Sequence, residues 1–213
     1  MDGAFQLSEM CYYSNRLIPM KAVIRPVTIY MALLRGINVG GKNKIKMAEL
    51  RESLAAIGLQ RVQTYIQSGN ILFESAQEEL PLRERIERQI EADFGLSIKV
   101  VMRTLDELRT IRRNLPFTEE QVAEAKAAAE GEVLYVSMLQ EQPSPDKLEK
   151  LAGIDIGEDR YVLDGNNLYL LYSLSVRNSK LSAHVEKLGV ASTVRNWNTI
   201  NKLIELGSEM EGA

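Results

Sequence analysis

Residues 27–34 read VTIYMALL, a run of strand length that is apolar at odd and even positions alike. Successive side chains of a strand point to opposite faces, so such a run needs a covering layer on both sides. NLYLLY at 167–172 makes the same demand. Any fold for this chain must therefore bury two strands, one in each half, from both faces.

The segments between supply the covers. Met47, Leu50, Leu54 and Ile57 recur at helical spacing, and Gly58 stops that helix. Leu82, Ile86, Ile90 and Phe94 form a second stripe ending at Gly95. Thr104 with Glu107, and Thr118 with Gln121, have the spacing of capping boxes and open two more helices. Pro145 opens a short helix to 152, residues 179–188 form another, and Asn196 caps a last helix bearing Trp197, Ile200, Leu203 and Ile204. Further strands are predicted at 62–66, 70–74, 97–102, 132–139, 160–163 and 191–194, with hairpin turns at 67–69 and 164–166.

Both halves thus read β-α-β-β-α-β-α, and the inner β-α-β-β-α-β is the ferredoxin-like order. The expected fold is α+β: two ferredoxin-like repeats with extra helices, their sheets joined or packed together. The repeats span 27–115 and 132–207, with a connecting helix at 116–131, an extension at 1–26 and a tail at 208–213. Sequence identity between the halves is not evident, so the repeat rests on element order.

Composition removes several chemistries. Cys11 is the sole cysteine, so neither a disulfide within the chain nor a cysteine-based zinc site is possible. His184 is the sole histidine and has no partners for a Ser-His-Asp or Cys-His arrangement. No metal site is expected, and no cofactor is implied. No apolar run approaches the ~20 residues of a membrane span, and no basic segment followed by an apolar core marks a signal peptide. A cytoplasmic location is the expectation.

The net charge of −3 argues against bulk nucleic-acid binding, which needs a domain-wide basic face. Basic residues are nonetheless unevenly placed. From Lys21 to Ala48 there are six (Lys21, Arg25, Arg35, Lys42, Lys44, Lys46) and no acid. The glycine-rich loop Arg35-Gly36-Ile37-Asn38-Val39-Gly40-Gly41-Lys42-Asn43 lies inside this stretch, directly after a strand. Glycines that adopt φ > 0 expose successive N–H groups, which form anion-binding nests. Gly36 to Asn43 reads G-x-x-x-x-G-K-N, but a P-loop ends in a metal-holding Ser or Thr and opens a helix at once. Here Asn43 takes that place and helical spacing begins only near Met47, so the loop is not read as a P-loop. A small anionic or phosphorylated ligand is the expected partner. The competing readings are an enzyme using Arg35, Lys42 and asparagines to stabilise developing charge, and a nucleic-acid-binding protein.

Three motifs point to a family. MALLRGINVGGKNKIKM, TYIQSGNILF and STVRNWNTINKL together resemble the domain-of-unknown-function 1697 family over about residues 28–206. The resemblance implies an α+β fold with two ferredoxin-like repeats and no assigned reaction, substrate or cofactor. The family pattern falls on Arg35, Gly36, Asn38, Gly40, Gly41, Lys42 and Asn43, then on Tyr65, Gln67, Ser68, Gly69 and Asn70, then on Arg195, Asn196, Trp197 and Asn198. One departure is the stretch at 173–178, where members carry a loop with proline and glycine. Arg offers a planar fork for carboxylate or phosphate, and Asn and Gln offer both donor and acceptor. The predicted ligand site therefore comprises Arg35, Gly36, Asn38, Gly40, Gly41, Lys42, Asn43, Gln67, Ser68, Asn70 and Arg195. Asn196 is read as a cap and Trp197 as a core anchor. The expectation is geometric: the three motifs should meet.

Overall fold

The computed structural model describes residues 26–177 and 179–212, together with two short paired strands, β1 (Tyr12–Tyr13) and β2 (Arg16–Leu17). The expected extension at 1–26 falls almost wholly outside the described residues, as does Asn178.

The first half contributes β3 (Thr28–Leu34), α1 (Met47–Ala56), β4 (Gln60–Tyr65), β5 (Asn70–Ser75), α2 (Glu79–Phe94), β6 (Val100–Thr104) and α3 (Leu105–Arg113). After α4 (Glu119–Ala128), the second half repeats the order with β7 (Leu134–Leu139), α5 (Pro145–Ala152), β8 (Arg160–Asp164), β9 (Asn167–Leu171), α6 (Lys180–Val185), β10 (Ser192–Asn196) and α7 (Trp197–Glu211). Each half makes one antiparallel four-stranded sheet, β6-β3-β5-β4 and β10-β7-β9-β8. Both run fourth, first, third, second, which is the ferredoxin-like arrangement. The apolar strands β3 and β7 and their partners β5 and β9 occupy the centres.

Strand parity sorts the core into three layers. Tyr30, Ala32 and Leu34 point to α1 and α2, where they meet Leu50, Leu54, Leu82, Ile86 and Ile90. Met31 and Leu33 point the other way, into a cluster shared with Val136, Met138, Tyr169 and Leu171 of the second sheet. That central layer also holds Leu105, Leu108 and Ile111 of α3 and Ile200, Leu203 and Ile204 of α7. The outer face of the second sheet packs on Leu151, Leu181 and Val185 of α5 and α6. The sheets pack together as expected, with two helices wedged between them.

Those two helices begin without a loop. Thr104 and Asn196 are each the last strand residue and the N-cap of the helix that follows. Thr104 closes the predicted capping box with Glu107, and the Asn196 side chain accepts from Thr199 N–H at 2.8 Å. Midway along the far half of α7, Gly207 forgoes about 1 kcal/mol of helix propensity relative to alanine. A Cβ there would sit 2.8 Å from both Leu105 Cδ1 and Met31 Cε. The missing side chain lets α7 close on α3 and β3.

Several element bounds differ from the sequence reading. The strand expected at 97–102 lies at Val100–Thr104, because β3 ends at Leu34 opposite Val100. The helix at 179–188 is α-helical only over Lys180–Val185 and tightens to a 3₁₀ turn at Glu186–Leu188. The tail expected from 208 is the last turn of α7, with Met210 buried.

Candidate functional site

The loop after β3 is a small hairpin. Val39 and Lys42 bridge, and Lys42 N–H donates to Val39 C=O at 3.0 Å. Gly40 and Gly41 between them have φ of 58° and 76°, the paired positive values of a type I′ turn. Asn38 and Asn43 hold the base. Asn38 Nδ2 donates to Ile45 C=O at 3.0 Å and to Gln67 C=O at 2.8 Å, while its Oδ1 accepts from Ile45 N–H. Asn43 Nδ2 donates to Gly36 C=O at 3.0 Å. Both asparagines are left-handed, at φ 54° and 48°, a conformation their short polar side chains tolerate. Their amides are thus spent on the loop's own shape and on its tie to the second motif. Ile37 is the loop's buried peg.

The second motif is the four-residue turn between β4 and β5. Gly69 has φ 74°, and a Cβ on it would lie 2.7 Å from Leu34 Cβ and from Ile37 Cδ1. The turn and the loop are pressed together at a position only glycine fits. Asn70, fully buried, donates to Tyr65 C=O at 3.1 Å and to Ser68 Oγ at 3.0 Å. Ser68 is half-buried, and Gln67 is exposed.

Arg195 of β10 joins the third motif to the other two. Its Nε donates to Asn70 Oδ1 at 2.6 Å, and its Nη1 to Thr193 Oγ1 at 2.6 Å and Val194 C=O at 2.9 Å. Its Nη2 donates to Leu34 C=O and Ser68 C=O at 3.0 Å, with Gly69 C=O at 3.4 Å. Every N–H of the guanidinium has an acceptor, and none of the acceptors is charged. Burial alone holds its pKa down, to about 10. The three motifs do meet, but Arg195 and Asn70 meet as an internal junction and leave no fork for a ligand. The polar atoms of both side chains are engaged inside the protein.

The sequence reading missed that this junction occurs twice. Arg103 of β6 reaches into the second half as Arg195 reaches into the first. Its Nε donates to Asn167 Oδ1 at 3.3 Å, its Nη1 to Met102 C=O at 2.7 Å, and its Nη2 to Leu139 C=O at 2.9 Å and Asn166 C=O at 3.0 Å. Leu139 ends β7 as Leu34 ends β3, and Asn167 opens β9 as Asn70 opens β5. The signal in the sequence was an arginine directly before each helix cap: Arg103-Thr104 and Arg195-Asn196.

What stays open to solvent is the basic rim of the loop. Arg35, Lys42 and Lys44 are exposed and form no ion pair with the described residues. Lys46 is paired to Glu49 at 2.7 Å, and that hydrogen bond raises its pKa. A hollow of about 650 Å³ opens beside the hairpin, lined by Asn38, Gly41, Lys44, Ile45, Lys46 and Gln67. Met47 and Glu49 complete the lining. Of the aromatics on or beside the central strands, Tyr30, Phe73, Tyr169 and Tyr172 are buried, and Tyr135 is half-buried against the cluster on the outer face of the second sheet. Among the described residues no helix is long and apolar enough to cross a membrane, and no group of three His, Cys, Asp or Glu side chains is placed to hold a metal ion.

Fold and junction together define a duplicated α+β protein, two ferredoxin-like units locked by reciprocal arginines. The chain belongs to the family described as "protein of unknown function (DUF1697)", whose model matches residues 27–169. Among solved structures it is similar to the conserved bacterial protein SP0830 from Streptococcus pneumoniae, at 24% identity and a TM-score of 0.64. That match covers 85% of this chain and 99% of the other, and it shows a shared fold. No curated protein sequence matches the chain.

Proposed function

We propose that the protein binds a small anionic, phosphate-bearing molecule at the hairpin loop. One observation carries this reading: among the described residues Arg35, Lys42 and Lys44 have no ion-pair partner, and they stand on a segment whose backbone is already fixed by Asn38 and Asn43. Cations on a pre-ordered loop lose little entropy when an anion arrives, which is the advantage of preorganisation. The hollow beside Gln67 gives such a ligand room. Gln67 and Lys44 line it, whereas Arg195 holds the adjacent turn through the carbonyls of Ser68 and Gly69.

Titration calorimetry with inorganic pyrophosphate, backed by a thermal-shift screen of nucleotides and sugar phosphates, tests the reading. Binding should weaken with added salt. Replacing both Lys42 and Lys44 by alanine should weaken it roughly tenfold, since each exposed charge contributes up to about 0.7 kcal/mol. If no anion in the screen moves the melting point, or the double variant keeps every shift, the site is not an anion site.

A further inference from the structure

Two members of the third motif, Arg195 and Asn196, are committed to the junction and the helix cap. The next two, Trp197 and Asn198, line a cavity of about 400 Å³ between α4 and the start of α7. The halves differ here. Leu105, which holds the place of Trp197 in the first half, is buried in the central core against the position of Gly207. Trp197 is only partly buried, and its indole N–H meets no acceptor among the described residues. Phe117, Val122 and Leu134 complete an apolar lining.

The polar rim is small and mostly acidic. Glu119 and Glu132 stand against the one cation, Lys126. Glu132 is held in place by the side-chain amide of Asn198. The wall formed by α4 is lightly anchored: it has no fully buried residue, and only Val122 and Ala125 lean on the central core. A mostly apolar cavity of this size with a few fixed polar groups is the ordinary form of a small-molecule site. Aromatic faces beside carboxylates favour a cation.

We infer that this cavity binds a small organic cation with an apolar body, its ammonium at Glu132 and its body against Trp197 and Phe117. The cavity shares no lining residue with the hollow beside the hairpin, so the two sites stand or fall separately.

Trp197 is the only tryptophan, so its fluorescence reports this cavity alone. The full chain is titrated with phenethylamine, 2-phenylethanol and 3-phenylpropionate, three probes of like shape and different charge. The amine should give a saturable change, with the alcohol roughly fivefold weaker and the carboxylate weaker still. Glu132→Gln keeps an acceptor for Asn198 and removes the charge, so the amine should fall to the affinity of the alcohol. Lys126→Glu, on the exposed face of α4, should strengthen amine binding roughly twofold to threefold and tests the charge even if Glu132→Gln does not fold. No saturable response to millimolar amine overturns the inference, as does an equal response to all three probes. So does a charge preference that neither substitution moves.

Discussion

The two arginine junctions are built on one plan and stand in different surroundings. Both guanidiniums reach from the fourth strand of one half to the end of the first strand of the other, and both are oriented by an asparagine. Around Arg195 every acceptor is neutral and every N–H is used. Around Arg103 the second Nη1 position has no acceptor among the described residues, because Val101 stands where Thr193 stands in the other half. Arg103 also borders a cavity of about 490 Å³ lined by Glu79, Asp106, Glu107 and Asp164. Its pKa is lowered by burial, with Glu107 and Glu79 acting against that shift. A buried guanidinium therefore needs no carboxylate if carbonyls, a hydroxyl and an amide enclose it, and where enclosure is incomplete nearby carboxylates act on its charge.

That contrast is open to test. The largest effect belongs to Arg195→Met, which leaves several buried acceptors unpaired and should cost about 4 kcal/mol in urea unfolding. Arg103→Met should cost about 2 kcal/mol, because water entering the adjoining cavity satisfies the stranded carbonyls. Equal losses would erase the distinction between the two ends. Asn70→Leu strips Arg195 Nε of its acceptor and Tyr65 C=O of its donor, and about 2 kcal/mol of stability should go with them. Next comes an exchange at the one position where a side-chain acceptor is present in one junction and absent in the other. Thr193→Val should cost about 1 kcal/mol, whereas Val101→Thr should stay within about 0.5 kcal/mol of the parent because Arg103 gains the missing acceptor. A large loss for Val101→Thr would mean that Arg103 Nη1 is satisfied in some other way.

The smallest effect depends on pH. Burial, and then the charge of Glu107, raise the Glu79 pKa above its ordinary value of 4.5. A carboxylate with a raised folded-state pKa disfavours the fold when ionised. Glu79→Gln should therefore be slightly more stable than the parent at neutral pH. As pH falls through the raised folded-state value and then below 4.5, the parent's carboxylate protonates and that margin should close. Paired melting curves across this range read the margin directly. A margin that widens on acidification would reverse the assignment.

Element order, strand parity and the helix caps were legible because each is set by residues near one another in sequence. Thr104, Thr118, Gly58, Gly95 and Asn196 all act on backbone within four residues of themselves. The junctions were not legible. Arg103 and Arg195 find their acceptors in the opposite half 36 to 161 residues away, and nothing local announces a carbonyl that distant. The site lies between these cases. That the three motifs meet follows from their unusual polar content. Which polar atoms face a ligand does not, since an asparagine amide bonds to its own loop as readily as to a guest. Asn38 and Asn43 turned inward, and the lysines did not.

The reach of Arg195 also has a meaning in time. Leu34 lies near the start of the described fold, yet its carbonyl is sealed by a side chain 161 residues later. During synthesis the first sheet can pair its four strands and cover its outer face with α1 and α2 while the loop and turn that Arg195 fastens remain unlatched. Closure of that corner waits for one of the last strands to be made, and the same event delivers α7 to the space between the sheets. The basic hairpin therefore acquires its final footing only when almost the whole chain has emerged, so a chain halted before β10 would carry the loop sequence without the floor that positions it.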